Sequence, residues 1–428
     1  TPAGRIFFFA VSFSGRFGRL RRMKINPFKA WRPAPEKAGD VASVPYDVVT
    51  TQQAAKLAEG NPDSFLHVVR AEIDLPPDTN PYDDAVYAKA AENLKRMMDD
   101  GTLIREKKPC FYLYSQQMGD HLQYGIVAGC HVEDYENGLI KIHEKTRKVK
   151  EQDRIRYVDE LNANTGPIFL TCKDSELVGS LMKEVASKEP LYQFTAPDGI
   201  IHTVWKIEET GAFAAAFAEV PAFYVADGHH RSASAAKVGA MRREANPDHT
   251  GTEPYNWFLS VIFPESQLKI LPYNRVVLNL GDQTAEEFLQ ALEKSFALNA
   301  SGKKEPSAPG TVCMYYNQTW YELTPIEAIP SDPVGSLDVS ILQDRVLAPL
   351  LGIDDPRESN DIDFVGGIHG TAELERRVDN GEAVVAFSLY PTTIAQLMDV
   401  ADAGLLMPPK STWFEPKLRS GLLVNTLD

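Results

Sequence analysis

The stretch FYVADGHHRSASAA, residues 223–236, gathers residue types that bind phosphate groups. A buried strand ending in Asp227 runs through Gly228 into a helix of small residues that starts at about His230 or Arg231. Such a helix start presents free backbone N–H groups and a positive dipole end, which suit a phosphate or a carboxylate. Arg231 adds a forked cation, Gly228 lets the backbone approach a ligand, and Ser232 and Ser234 offer hydroxyls. The plainer alternative is Asp227 as a helix cap, with His229 and His230 as surface histidines.

Three other clusters carry chemistry. In SVPYDVV, Asp47 sits at a turn, where a carboxylate serves either as a general base or as a turn former. In HEKTRKVKEQDR, His143, Glu144, Lys145 and Thr146 put a base, an acid, a cation and a hydroxyl in four consecutive positions. That run, through to Arg154, either draws in an anionic substrate or is a solvated cationic face. Glu144 is the alternative general base. In MPPKSTWFEPK, Lys410, Ser411 and Thr412 imitate the end of a P-loop without its glycines. They read as a lysine reaching for a phosphate or carboxylate, or as a docked tail. No H-E-x-x-H or C-x-x-C is present, so no metal ligands are assigned.

The elements around these clusters alternate between strand-like and helix-like runs, which predicts a mixed α/β chain. DVASVPYDVVT reads as a short strand entering a turn, and Thr50 with Gln53 forms a candidate capping box for the helix TQQAAKLAEG. SFLHVVRAEID reads as a strand by its β-branched and aromatic content, which leaves His67 facing either a ligand or the core. A helix is predicted from about Tyr82 to Asp100, a hairpin from CFYLYSQQ and LQYGIVAGCHVEDY, and strands at GPIFLTC and HTVWKIE. EANPDHTGTEP is a polar break that predicts a domain boundary, with WFLSVIF opening the second half.

The 428 residues carry 44 Lys and Arg against 59 Asp and Glu, a formal charge of −15. That sign argues against a surface that tracks a polyanionic backbone. The four cysteines are far apart and mostly in apolar runs, so they read as buried thiols and the default compartment is the cytoplasm. Residues 1–22 hold five arginines around IFFFAVSF, a stretch far shorter than the ~20 residues a membrane span needs. They read as a non-native or disordered extension ahead of Met23.

The string ADGHHR, residues 226–231, resembles the nucleotide-binding box of the ParB/sulfiredoxin-like superfamily, most closely the D-G-H-H-R box of its free serine kinases. Sulfiredoxin carries a reactive cysteine where this chain has His229, so the resemblance implies phosphate binding and not sulfinic acid repair. Through PFKAWRP, SVPYDVV, GNPDSFLHVVRAEID, LNANTGPIFL, LPYNRVV, GEAVVAFSLYPT and MPPKSTWFEPKLRSG, nearly the whole chain resembles a bacterial and archaeal family long described as ParB-like and of unknown function.

The resemblance implies an α/β (mixed α+β) fold, with a ParB/sulfiredoxin-like nucleotide-binding core over 23–245 and a second α/β domain over 255–428. It implies ATP or ADP with Mg²⁺ as cofactor, held by Asp227, Gly228, His229, His230, Arg231 and Ser232. Asp47, Glu144 and His230 form the candidate catalytic set, with Asp47 ranked first as base. His143, Lys145, Thr146, Arg154, Lys410, Ser411 and Thr412 form the candidate substrate set. The expected activity is phosphoryl transfer on a small hydroxylated metabolite, free serine or phosphoserine, with no nucleic acid or membrane partner. The alternatives are a ParB-like DNA-binding or partition protein and a non-catalytic nucleotide sensor.

Overall fold

The computed structural model describes residues 22–428, so the extension read from the sequence falls, except for Arg22, outside the described residues. The hairpin Phe111–Met118 and His121–His131 turns at Gly119, with Met118 opposite His121, and anchors a nine-stranded mixed sheet. From one edge the strand order is Ile140–Lys141, Phe223–Asp227, Ile168–Cys172, Trp257–Pro264, His121–His131, Phe111–Met118, Ile201–Ile207 and Tyr192–Thr195. Ile25–Asn26 pairs beside His121–His131. Ile168–Cys172, buried at every position, lies parallel to Trp257–Pro264, as a continuous apolar run covered on both faces should.

A second sheet of six strands is antiparallel throughout, in the order Phe296–Asn299, Thr319–Pro325, Val312–Tyr316, Val385–Leu389, Tyr273–Val277 and Ile362–Gly366. One apolar cluster joins the two sheets, and it holds Phe169, Tyr224 and Phe263 of the first, Phe387 of the second, and Leu397 and Met398 of the helix Ile394–Asp402. The polar break at 246–254 does not separate the sheets. Trp257–Pro264, expected to open the second half, is an interior strand of the first, because its alternate faces are both apolar and both buried.

Two sequence expectations fail in the N-terminal third. DVASVPYDVVT holds the short helix Ala38–Val41 and a turn at Tyr46–Asp47 in place of a strand. SFLHVVRAEID folds as the helix Leu66–Val69 and the 3₁₀ turn Ala71–Asp74. A short apolar run does not distinguish a strand from a buried helical turn. Here Phe65, Leu66, Val68 and Val69 pack with Ala90, Leu94 and Met97 of the helix Asp84–Asp99, and that packing decides the outcome. The Thr50–Gln53 capping box is present at the start of the helix Thr51–Ala58.

The C-terminal tail binds the parts together. Trp413–Glu415 pairs with Lys269–Leu271, Ser420 bridges to Ser43, Val424 bridges to Trp31, and Asn425–Thr426 pairs with Ala163–Asn164. Gln116 donates to the Lys417 carbonyl at 2.8 Å, and the buried Arg419 bonds His202 and Asp198. Gly366 admits this tail, since a Cβ there would lie 2.8 Å from the Trp413 ring.

Candidate functional site

The strand Phe223–Asp227 ends against the helix His229–Ala245, and Gly228 makes the turn between them with φ of 95°. An L side chain rarely adopts that conformation, and a Cβ there would also press on the Arg231 guanidinium at 3.1 Å. Asp227 accepts the Gly228 N–H at 2.9 Å, and no side chain among the described residues accepts from the N–H groups of His229, His230 or Arg231, which stand at the wall of a cleft of about 960 Å³. Asp227, Gly228, His229, His230 and Arg231 form one wall of the cleft. The Tyr46–Asp47 turn, Glu144 and Lys145, and Lys410, Thr412 and Lys417 of the tail complete it.

Charge distinguishes this cleft from the rest of the chain. Arg70, Lys145, Arg147, Lys150, Arg231, Arg357, Lys410 and Lys417 line it, against the acids Asp47, Glu144 and Asp227. Counting Glu72 and Asp355, which pair with Arg70 and Arg357 at 2.8 and 2.6 Å, eight cations still face five carboxylates. On a chain of net charge −15 this excess builds a local positive potential that concentrates anions.

The carboxylates are tuned in opposite directions. Burial pushes the Asp227 carboxyl up, but Lys417 at 3.4 Å and Arg231 at 4.0 Å outweigh it and hold Asp227 below the usual range. Glu144 is half-buried, and there burial prevails over Lys410 and raises its pKa. Asp47 is exposed, and its carboxylate makes no hydrogen bond or ion pair with the described residues. Burial works against the charge on Lys410, yet Tyr273, Glu144 and Asp47 raise its pKa, so it stays an ammonium. Lys410 holds a left-handed φ of 58°, a conformation that costs about 1–3 kcal/mol and tends to occur at functional positions.

Burial disfavours the charged form of the three histidines at the site. Burial lowers His143 to about 4 and takes His229 well below its ordinary value, and His230 is lowered too. The His143 and His229 rings meet edge to face at 4.5 Å beneath the cleft. His230 Nε2 accepts the backbone N–H of Arg147 at 3.0 Å, which fastens the basic segment to the helix start and puts the ring proton on Nδ1.

The remaining sequence-predicted residues sit elsewhere, whereas Lys145, Lys410 and Thr412 line the cleft. Ser232 is buried and donates to the His229 carbonyl at 3.0 Å, so its hydroxyl is spent inside the helix. Ser411 donates to the Pro408 carbonyl at 2.6 Å, and Thr146 donates to Glu151 at 2.5 Å. His143 does not line the cleft; its Nε2 lies 3.5 Å from the Thr412 hydroxyl. Arg154 lines a smaller cavity next door. His67 is on a helix, bonded to Asp74 and the Asn61 carbonyl, and does not line the cleft. The sequence reading did not single out Tyr46, Arg70, Arg147, Lys150, Tyr273, Arg357 or Lys417. Tyr46, Arg70, Arg147, Lys150, Tyr273 and Lys417 lie within the quoted motifs, whereas Arg357 lies outside all of them.

A family model described as "Protein of unknown function (DUF1015)" matches residues 25–340. No protein with a curated description matches the chain. Among solved structures, a conserved hypothetical protein from Pyrococcus furiosus is similar at 14% identity and a TM-score of 0.35, over 69% of this chain and 93% of that one. A free serine kinase in complex with AMP is similar at 13% identity and a TM-score of 0.37, over 70% and 91%. SbnI with C-terminal truncation from Staphylococcus aureus is similar at 12% identity and a TM-score of 0.38, over 70% and 87%. Since the family model spans most of the sequence, this chain belongs to the DUF1015 family.

Proposed function

We propose that the cleft binds a nucleotide by its phosphates and transfers a phosphoryl group to or from the hydroxyl of a small metabolite, with serine and phosphoserine as the first pair to test. The carrying observation is the open helix start that follows Gly228, with Arg231 and Lys417 beside it, at the wall of a cleft whose cations outnumber its acids. The resemblance of ADGHHR to a nucleotide-binding box supports the same reading. Tyr273 and Trp413 line the same cleft and hold the Lys410 and Lys417 ammonium groups 5.5 and 4.8 Å from their ring centres, which keeps those cations at the site.

Phosphoryl transfer needs positioning and charge more than covalent help. Arg231, Lys410 and Lys417 meet the charge that builds on the leaving phosphate. Glu144 accepts the proton of the acceptor hydroxyl as its oxygen bonds to phosphorus and the bond to the leaving phosphate breaks. Glu144 is preferred to Asp47 as base because burial already raises its proton affinity, whereas Asp47 lies in open solvent. Magnesium, carried on the phosphates, would supply charge neutralisation, and the uncommitted Asp47 is the carboxylate that would hold it. Calorimetry and turnover assays with ATP, ADP and CTP, each with serine and with phosphoserine, test the reading. Saturable binding of at least one nucleotide and transfer to or from serine are expected, and failure of all three nucleotides to bind overturns it.

A further inference from the structure

A second, closed space lies behind Tyr46. This cavity of about 30 Å³ adjoins the cleft, and Tyr46 and Arg231 stand in the walls of both. At about 10–15 Å³ per water-sized group it takes roughly two such groups, the span of a carboxylate's oxygens.

Arg154 in its wall is held rigidly. Its guanidinium lies 4.2 Å from the Tyr46 ring centre and 4.4 Å from that of Tyr157, and its Nε donates to Asp153 at 2.8 Å. Two rings and one edge contact are therefore fixed, and the remaining N–H groups of the fork have no acceptor among the described residues. Arg231 donates to the Pro167 carbonyl at 2.5 Å, and its Nε is buried without a hydrogen-bond partner among the described residues. Arg70 donates to the Tyr46 carbonyl at 3.0 Å, which fixes the partition between cavity and cleft.

Two cations line this cavity, and their carboxylates leave donors open. Arg154 pairs with Asp153 through one edge only, and Asp153 is further engaged by the Tyr87 hydroxyl at 2.8 Å. Arg231 stands 4.0 Å from Asp227, which it shares with Lys417 of the cleft at 3.4 Å. A buried N–H of a cation without an acceptor is costly, and a guanidinium with a free edge fits a carboxylate better than an ammonium does.

We infer that this cavity seats the carboxylate of a small hydroxylated acid, held by Arg154 and Arg231, while the hydroxyl end of that acid reaches past Tyr46 into the cleft. The inference deepens the phosphoryl-transfer reading and rests on it for the role of that hydroxyl, but it is tested without turnover. Calorimetric titration of the full chain and of Arg154→Lys and Arg154→Met with L-serine and with ethanolamine, which lacks the carboxylate, decides it. Serine is expected to bind the unmodified chain at least about tenfold more tightly than ethanolamine. Both variants should lose that preference while binding nucleotide as before, and Arg154→Lys keeps the charge and stem should Arg154→Met fold poorly. No serine binding, equal binding of the two probes, or an unchanged preference in the folded Arg154→Lys variant overturns the inference. If no nucleotide binds but serine behaves as expected, the phosphoryl-transfer reading fails and the carboxylate seat stands.

Discussion

On the face of the six-stranded sheet turned away from the shared core, the helix Gly370–Asp379 carries Arg376, bonded to Glu373 at 2.7 Å and Glu382 at 2.5 Å, and Arg377, bonded to Asp363 at 2.7 Å. Around the cleft the same residue types meet with a different balance, eight cations to five carboxylates, on walls that are partly dry. In the outer cluster each arginine has an acid beside it, and water screens what is left. In the cleft more cations than acids line one concave surface beside Tyr46, Tyr273 and Trp413, so a ligand's negative charge is the natural complement. Charged residues mark a site where their signs fail to cancel across one concave surface.

Glu144→Gln should produce the largest effect. Removing a general base while keeping its shape should lower turnover by about 100-fold or more and leave nucleotide affinity nearly intact. Glu144 works only when ionised, and burial raises its pKa, so kcat/KM should rise with pH through a limb lying above the ordinary glutamate value. The amide variant should lack that limb in a steady-state pH profile. If Asp47→Asn abolishes turnover while Glu144→Gln retains it, the exposed acid is the base and burial is not what selects it.

Arg231→Ala should act next most strongly, on binding as well as turnover. A hydrogen bond to a charged group contributes about 1.5–3 kcal/mol, so nucleotide affinity should fall by that amount in calorimetry on the folded variant. Asp227 loses one of the two cations that hold its pKa down, so its carboxyl should titrate higher in the variant, which NMR titration would detect.

The two regions were also unequally legible in the sequence. The wall from Phe223 to Arg231 could be read because strand, turn and helix start are contiguous and Gly228 punctuates them. The opposite wall could not, since Arg70, Tyr273 and Arg357 arrive from distant elements and no local spacing announces them. Lys410 and Lys417 were placed in a suspect tail, but their positions depend on Trp413–Glu415 pairing with Lys269–Leu271, a contact without a short-range signature. The same limit explains SFLHVVRAEID, whose β-branched content favours a strand until the helix Asp84–Asp99 offers it a helical packing surface. It also explains Trp257–Pro264, since a polar break shows where the chain turns and not which sheet receives the next strand.

Arg376→Ala should show the smallest effect and gives the comparison its control. It removes a cation with two well-formed ion pairs, at 2.7 and 2.5 Å, so geometry alone would rank it beside Arg231. Its side chain is 47% exposed, however, and solvent and salt already weaken both pairs before the mutation removes them. Its acids also keep a neighbour, because Arg377 stands 3.7 Å from Glu382. Nucleotide affinity and turnover should therefore match those of the unmodified chain, and the melting temperature should move far less than in Gly228→Ala, where a Cβ is forced onto a left-handed backbone against Arg231. An Arg376→Ala variant that weakened nucleotide binding as much as Arg231→Ala would show that overall charge, and not the local surplus at the cleft, governs anion capture.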